Sequence, residues 1–184
     1  MKNTLIKSIT APYFQEAWEL YQAAFPIDER REIEVQEKIF EHEDFYFEII
    51  TENNDFIGFI TWWKFEGLLY IEYLATLDIH RGKGYGKSIH EDFISNHSEE
   101  YETTILEVEL PNSEIDKRRI GFYERLNFKL NPHKYQQLPY RVNGAKVDLL
   151  IMSYPTTIDE VTLTKFEKYF KEKCYDGFIL NNNL

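Results

Sequence analysis

Residues 80–93 read HRGKGYGKSIHEDF, with glycines at 82, 84 and 86 and cations at Arg81, Lys83 and Lys87. An apolar run precedes this stretch and helical spacing follows it. Successive main-chain amides at a strand-to-helix turn point into one concavity, and the helix that begins there adds about half a positive charge from its dipole. Glycines let an anion approach the backbone with no Cβ in the way. The chemistry this arrangement suits is the grip of a phosphate or diphosphate. The chain as a whole is acidic, with a formal net charge of −11, so the local charge of the turn opposes the global one.

The spacing of the glycines decides among phosphate carriers. GKS at 86–88 resembles the end of a G-x-x-x-x-G-K-[ST] loop, but the first glycine of that pattern falls on Arg81. The dinucleotide pattern G-x-G-x-x-G fails because position 87 is a lysine and no βαβ unit opens the chain. What remains is R-x-x-G-x-G, carried by Arg81, Gly84 and Gly86. Set in LATLDIHRGKGYGKSI, and followed about 40 residues later by RRIGFYERLNFKL, it resembles the two central motifs of the GNAT superfamily of acyl-CoA-dependent N-acyltransferases. Two motifs in the expected order are far more specific than either alone. The chain departs from the family pattern at Asn127, which stands where a glycine is usual, and at Asp78, which stands where a proline is common. Asparagine is the next best residue for a left-handed helix C-cap, so the turn at 127 is expected to survive.

The resemblance implies acetyl-CoA as co-substrate and direct attack by an amine on the thioester, without an acyl-enzyme. It implies that Arg81, Gly82, Lys83, Gly84, Tyr85, Gly86 and Lys87 hold the diphosphate. It further implies that the main chain of Leu74 and Thr76 pairs with the pantetheine arm and that Asn112 reaches it. Tyr123 matches the family's tyrosine general acid at the departing sulfur. Glu72, nine residues before Arg81, resembles the position of a base that serves the acceptor, with Glu107 and Glu109 as weaker candidates on the next strand. Strict alternation along YIEYLAT places Tyr70, Glu72, Leu74 and Thr76 on one face and Ile71, Tyr73 and Ala75 on the other. A carboxylate on so apolar a strand is costly unless paired. For the acceptor, FPIDERRE (25–32) and HKYQQLPYRVNG (133–144) are the framing segments, with Glu29, Arg30, Tyr135 and Tyr140 as substrate-binding residues. The acceptor is expected to be a small-molecule or peptide amine. The rival reading is a CoA-binding sensor or interaction module of the same fold that has lost catalysis.

These groups need a sheet to hold them. Strand-like runs fall at 4–9, 45–51, 56–65, 68–79, 103–110, 127–131 and 147–155, and helical spacing at 12–25, 28–41, 84–97, 113–126 and 158–174. Ser113 with Asp116 three residues on is a capping pattern. The order predicts an α+β domain with a GNAT-like mixed, mostly antiparallel central sheet flanked by helices. Residues 1–155 form that domain, and 156–184 are a helical extension packed on it. No basic footprint points to nucleic acid, no apolar run is long enough for a membrane span, and the start lacks a signal peptide's pattern, so a cytoplasmic protein is expected. The five histidines and single cysteine, Cys174, show no metal-ligand spacing, so no metal is expected. The sequence leaves the oligomeric state open, a homodimer included.

Overall fold

The computed structural model describes residues 1–141 and 144–176. The last eight residues, with the terminal asparagine run and the end of the expected extension, lie outside them, as do residues 142 and 143 of the second acceptor segment. One sheet of eight strands organises the molecule: β1 (Lys2–Ile6), β2 (Phe45–Glu52), β3 (Asp55–Phe65), β4 (Leu68–Thr76), β5 (Thr103–Glu109), β6 (Lys129–Leu130), β7 (Tyr135–Gln137) and β8 (Val147–Tyr154). Its order is β1-β2-β3-β4-β5-β8-β6, with β7 also on β8. Every pairing is antiparallel except β4 with β5. The meander β2–β4 follows from short turns: Asn53 and Asn54 both take positive φ between β2 and β3, a conformation asparagine tolerates well.

The helices are α1 (Phe14–Ala24), α2 (Ile33–Ile39), α3 (Tyr85–His97), α4 (Glu114–Arg125) and α5 (Glu160–Tyr169). They cover both faces. Phe14, Ala17, Trp18 and Tyr21 of α1, Val35 and Ile39 of α2, and Leu163 and Phe166 of α5 pack on one side with Phe47, Phe59, Trp63 and Tyr70. Ile89 and Phe93 of α3 and Ile120 of α4 pack on the other with Ile60, Trp62, Leu69 and Leu106. The expected helix over 28–41 is in fact a 3-10 turn, Ile27–Glu29, followed by the shorter α2. The strand expected to reach residue 79 stops at Thr76, and a 3-10 turn at Asp78–His80 leads into the glycines. The C-terminal helix is part of the core: the Phe166 ring lies 5.1 Å from Tyr70 and the Phe170 ring 5.9 Å from Tyr140.

One irregularity shapes everything that follows. Thr61 of β3 faces Tyr73 of β4, but the next residue, Trp62, faces Ile71. Glu72 therefore has no partner across the ladder and forms a β-bulge. The extra residue reverses the alternation expected from the sequence. Tyr70 and Tyr73 both join the first core cluster, while Ile71 and Leu74 both pack with the second. At the same point β4 leaves β5: their parallel ladder runs from Leu68–Thr103 to Ile71–Leu106 and ends there.

Candidate active site

Where β4 and β5 part, a cleft of about 600 Å³ opens. Its walls are the two diverging strand ends, Ile71–Thr76 and Leu106–Glu109. One end reaches Arg81, Gly82, Gly84, Tyr85, Gly86 and Lys87, and the other reaches Ala24, Phe25, Glu29, Gln137 and Leu149. Beyond Ile71 the β5-facing edge of β4 has no strand beside it, so its main-chain groups face the cleft.

The glycine end is built from backbone. Gly82 and Gly84 take φ of 75° and 87°, which only glycine adopts without strain. Gly84 is the N-cap of α3, and no side chain caps the helix there. Ser88 N–H is bonded to Gly84 O at 3.0 Å, which leaves the N–H groups of Tyr85, Gly86 and Lys87 ahead of the first helical bond. No acidic residue stands in that first turn. A Cβ added at Gly82 or Gly84 would meet nothing within 4 Å, so open space lies over both. Donors, dipole and room fit a diphosphate. The side-chain charge is weaker than the sequence suggested: Arg81 is paired with Asp78 at 2.7 Å, and Lys87 lies 3.6 Å from Glu91.

Tyr123 lines the cleft from α4, close to the end of that helix. The helix starts at a complete capping box, Ser113 with Asp116. It stops at a Schellman turn: Asn127 takes φ 66°, its N–H bonds Glu124 O at 3.0 Å, and Phe128 N–H bonds Tyr123 O at 3.1 Å. The Phe128 ring lies 5.8 Å from the Tyr123 ring. Backbone and ring of Tyr123 are thus both fixed. Burial, with nearby Arg119 opposing, pushes its hydroxyl up to about 12.

Two glutamates meet at the parting strands. Glu72 is enclosed: its side chain and that of Arg31 are both 0% exposed. Arg31 Nη2 and Tyr140 OH donate to Oε1, and Trp63 Nε1–H donates to Oε2. The Arg31 guanidinium also lies 5.0 Å from the Tyr140 ring and 5.5 Å from the Tyr73 ring. Glu107 sits at the first residue of β5 past the ladder's end. Tyr70 OH donates to its Oε2 at 2.6 Å, and Gln137 Nε2 donates to the same oxygen. Its Oε1 is buried and has no hydrogen-bond partner among the described residues. Burial raises the Glu107 carboxyl to about 7, against the hydrogen bonds of its neighbours. Glu29 is likewise raised to about 7, by burial first and then by Glu109. Glu109 itself is paired with Arg119.

The comparisons with known proteins agree with this geometry. A family model described as the acetyltransferase (GNAT) family matches residues 11–128. This chain is a member of the GNAT acetyltransferase family. Among solved structures, one from Bacteroides thetaiotaomicron assigned to that family superposes with a TM-score of 0.81 at 29% identity, covering 92% of this chain and 97% of the other. The ribosomal-protein-S18-alanine N-acetyltransferase of Escherichia coli superposes at 0.60 with 20% identity, covering 86% and 96%. A GNAT acetyltransferase from Elizabethkingia anophelis with acetyl-CoA bound superposes at 0.58 with 14% identity, covering 83% and 95%. At those two identities the likeness speaks for the fold. No curated protein matches the chain.

In this GNAT acetyltransferase the cleft gathers Glu72, Leu74, Thr76, Arg81, Gly82, Gly84, Tyr85, Gly86, Lys87, Tyr123 and Glu29. It leaves out Lys83 and Asn112, both exposed, and Arg30, whose guanidinium is turned to Gln22 O. Tyr135 and Tyr140, expected to bind the substrate, are 6% and 2% exposed and pack in the core beside the cleft. Tyr135 packs on Phe166 with its hydroxyl at the Glu107 carboxyl, and Tyr140 packs on Phe170 and donates to Glu72. The two acceptor segments are tied together all the same. Arg141 donates to Ile27 O at 3.2 Å, Arg30 O at 3.1 Å and the Glu32 carboxylate at 2.9 Å. Gln137 went unnoticed as a site residue, because a three-residue strand in a polar stretch carries no periodic signal. Among the described residues no helix is long and apolar enough to cross a membrane, and no cluster of metal-ligating side chains occurs.

Proposed function

We propose that the protein transfers an acetyl group from acetyl-CoA to a primary amine by direct attack, with Glu107 rather than Glu72 as the base and Tyr123 at the departing sulfur. The observation that carries this reading is the continuity of the cleft. One cavity joins a phosphate-shaped turn to a buried carboxyl that has an unused oxygen.

Coenzyme A supplies an acyl group already activated as a thioester. The N–H groups of Tyr85, Gly86 and Lys87 would hold its diphosphate, and the free edge of β4 at Leu74 and Thr76 its pantetheine arm. The reacting carbon would then sit where the strands part, in the cleft that Glu107 and Tyr123 both line. Glu107 takes a proton from the amine, the new C–N bond forms as the C–S bond breaks, and the electron pair leaves on sulfur. A carboxyl near 7 suits this duty, since it is ionised at working pH yet basic enough to accept a proton. Tyr123, held protonated, stabilises the departing thiolate by hydrogen bonding. Glu72 is fully enclosed and both of its oxygens are already engaged, by Arg31, Tyr140 and Trp63. Its role is to pin the bulge that parts the strands.

The test is thiol release from acetyl-CoA with a panel of primary amines. Glu107→Gln should lower kcat by about 10²–10⁴-fold, the usual worth of a general base, while CoA affinity stays within about twofold. Tyr123→Phe should lower kcat with the same unaltered affinity. Wild-type turnover matched by Glu107→Gln would remove the assignment. CoA binding with no turnover on any amine would instead support a sensor.

A further inference from the structure

Two buried acceptor atoms on the cleft wall lack donors: Oε1 of Glu107 and Oε1 of Gln137. Both atoms are oxygens, and they belong to side chains already joined to each other, since Gln137 Nε2 donates to Glu107 Oε2. That bond fixes the amide. The nitrogen end must face the carboxylate, because an oxygen there would oppose another oxygen, so the amide oxygen is the end left unsatisfied. Gln137 is 4% exposed, and an unpaired acceptor buried to that degree is costly. Its backbone is held by β7, where Gln137 pairs with Val147 of β8. Neither side chain can turn to solvent without breaking these bonds.

We propose that Gln137 and Glu107 together form the receptor for the acceptor nitrogen, and that Gln137 selects a primary ammonium over a hydroxyl. The inference rests on the acetyl transfer proposed above and adds the residue that recognises the acceptor. A primary ammonium carries three N–H donors. One goes to Glu107 Oε1 and is the proton removed, and a second goes to Gln137 Oε1 and stays through the attack. An alcohol has one O–H donor. It can satisfy Glu107 or Gln137 but leaves the other acceptor buried and bare, and a site built around paired hydrogen bonds rejects such analogues strongly. The nearby carboxyls add to the preference. Glu29 and Glu109 line the same cleft, and Arg119 is paired with Glu109.

Calorimetry on the CoA-saturated protein tests this, with n-butylammonium and n-butanol as probes of equal chain length. The wild type should bind butylammonium at least about tenfold more tightly than butanol. Gln137→Met keeps the length of the side chain and deletes both amide groups. It should weaken butylammonium binding by about ten- to hundredfold, the worth of a hydrogen bond to a charged group, with CoA affinity and melting temperature held. Should that variant lose CoA binding, Gln137→Leu in the same titration takes its place. In turnover, the acceptor KM should rise while the acetyl-CoA KM stays put. Equal affinity for the two probes, absence of butylammonium binding, or an unaltered affinity in both variants overturns the inference. If the wild type still acetylates amines in that event, only the role of Gln137 falls. Failure of CoA to bind the glycine turn would instead strike the underlying transferase reading.

Discussion

Glu72 and Glu107 face one cleft from neighbouring strands, and opposite rules govern them. Glu72 lies on a bulge with a buried arginine, a tyrosine and an indole on its oxygens. Glu107 has neutral groups around it, Tyr70 and Gln137 donating to one oxygen and the Tyr135 hydroxyl beside the carboxyl, and its Oε1 has no hydrogen-bond partner among the described residues. The first arrangement ties both carboxylate oxygens to the fold. The second leaves a buried carboxyl raised to about 7 with one oxygen unbonded, the kind of perturbed group that binding and catalytic sites use. A carboxylate in an apolar strand is therefore not a base by virtue of being there. What decides is whether the fold has already engaged both of its oxygens.

Removing the cation should show this contrast most strongly. Arg31→Met leaves the Glu72 charge buried and unpaired, which should cost about 3–5 kcal/mol of stability in chemical denaturation. The double variant Arg31→Met with Glu72→Gln should recover much of that loss. Glu107→Gln should move stability the other way. The Glu107 carboxyl stands at about 7 in the fold against an ordinary 4.5. The folded state thus binds the proton more tightly, so the group's contribution is full below about 4.5 and is lost as pH rises through about 7. Above that range the wild type carries a penalty of about 3 kcal/mol that the amide does not, and Glu107→Gln should be the more stable protein. Equal losses from both substitutions would erase the distinction.

The pH dependence of turnover sharpens the same comparison with a smaller effect. Below about 7 the base is increasingly protonated. The ratio kcat/KM should therefore fall about tenfold per pH unit on the acid side and level off above. Tyr123, held up at about 12, adds no descending limb in the neutral range. Glu29 titrates in the same window, so Glu29→Gln is the control. It should keep the acid limb, and Glu107→Gln should abolish it. A limb lost with Glu29 would transfer the role of base to that residue.

How much of this the sequence revealed depends on what each half of the cleft is made of. The glycine end is made of backbone, and backbone conformation leaves a local signature: Gly82, Gly84 and the helix start form one short stretch, and the Ser113–Asp116 cap another. The opposite end is made of side chains brought together over long separations. Glu107 meets Gln137 across 30 residues, and Glu72 meets Tyr140 across 68. Alternation along β4 also misled, because one extra residue at Glu72 reverses which side chains share a face, and the pattern YIEYLAT gives no sign of it. The helices and the meander were legible because they repeat a period over many residues. The burial of Tyr135 and Tyr140 was not legible for the converse reason, since their segment repeats nothing.

The smallest effect concerns the turn that fixes Tyr123, on the backbone-built side of the comparison. Asn127 holds φ 66° where the family's usual residue is glycine. Asn127→Ala places an ordinary Cβ in the left-handed region and should cost about 1–2 kcal/mol of stability. Asn127→Gly removes that strain and should match or slightly exceed the wild type. If the turn only ends the helix, both variants keep kcat. If it also aims the phenol, the alanine variant should lose turnover beyond its loss of folded protein, because the bond from Phe128 N–H to Tyr123 O and the packing of the Phe128 ring on Tyr123 depend on that conformation. Steady-state rates normalised to CoA-binding sites separate the two, and an alanine variant with full turnover per site would confine Asn127 to stability.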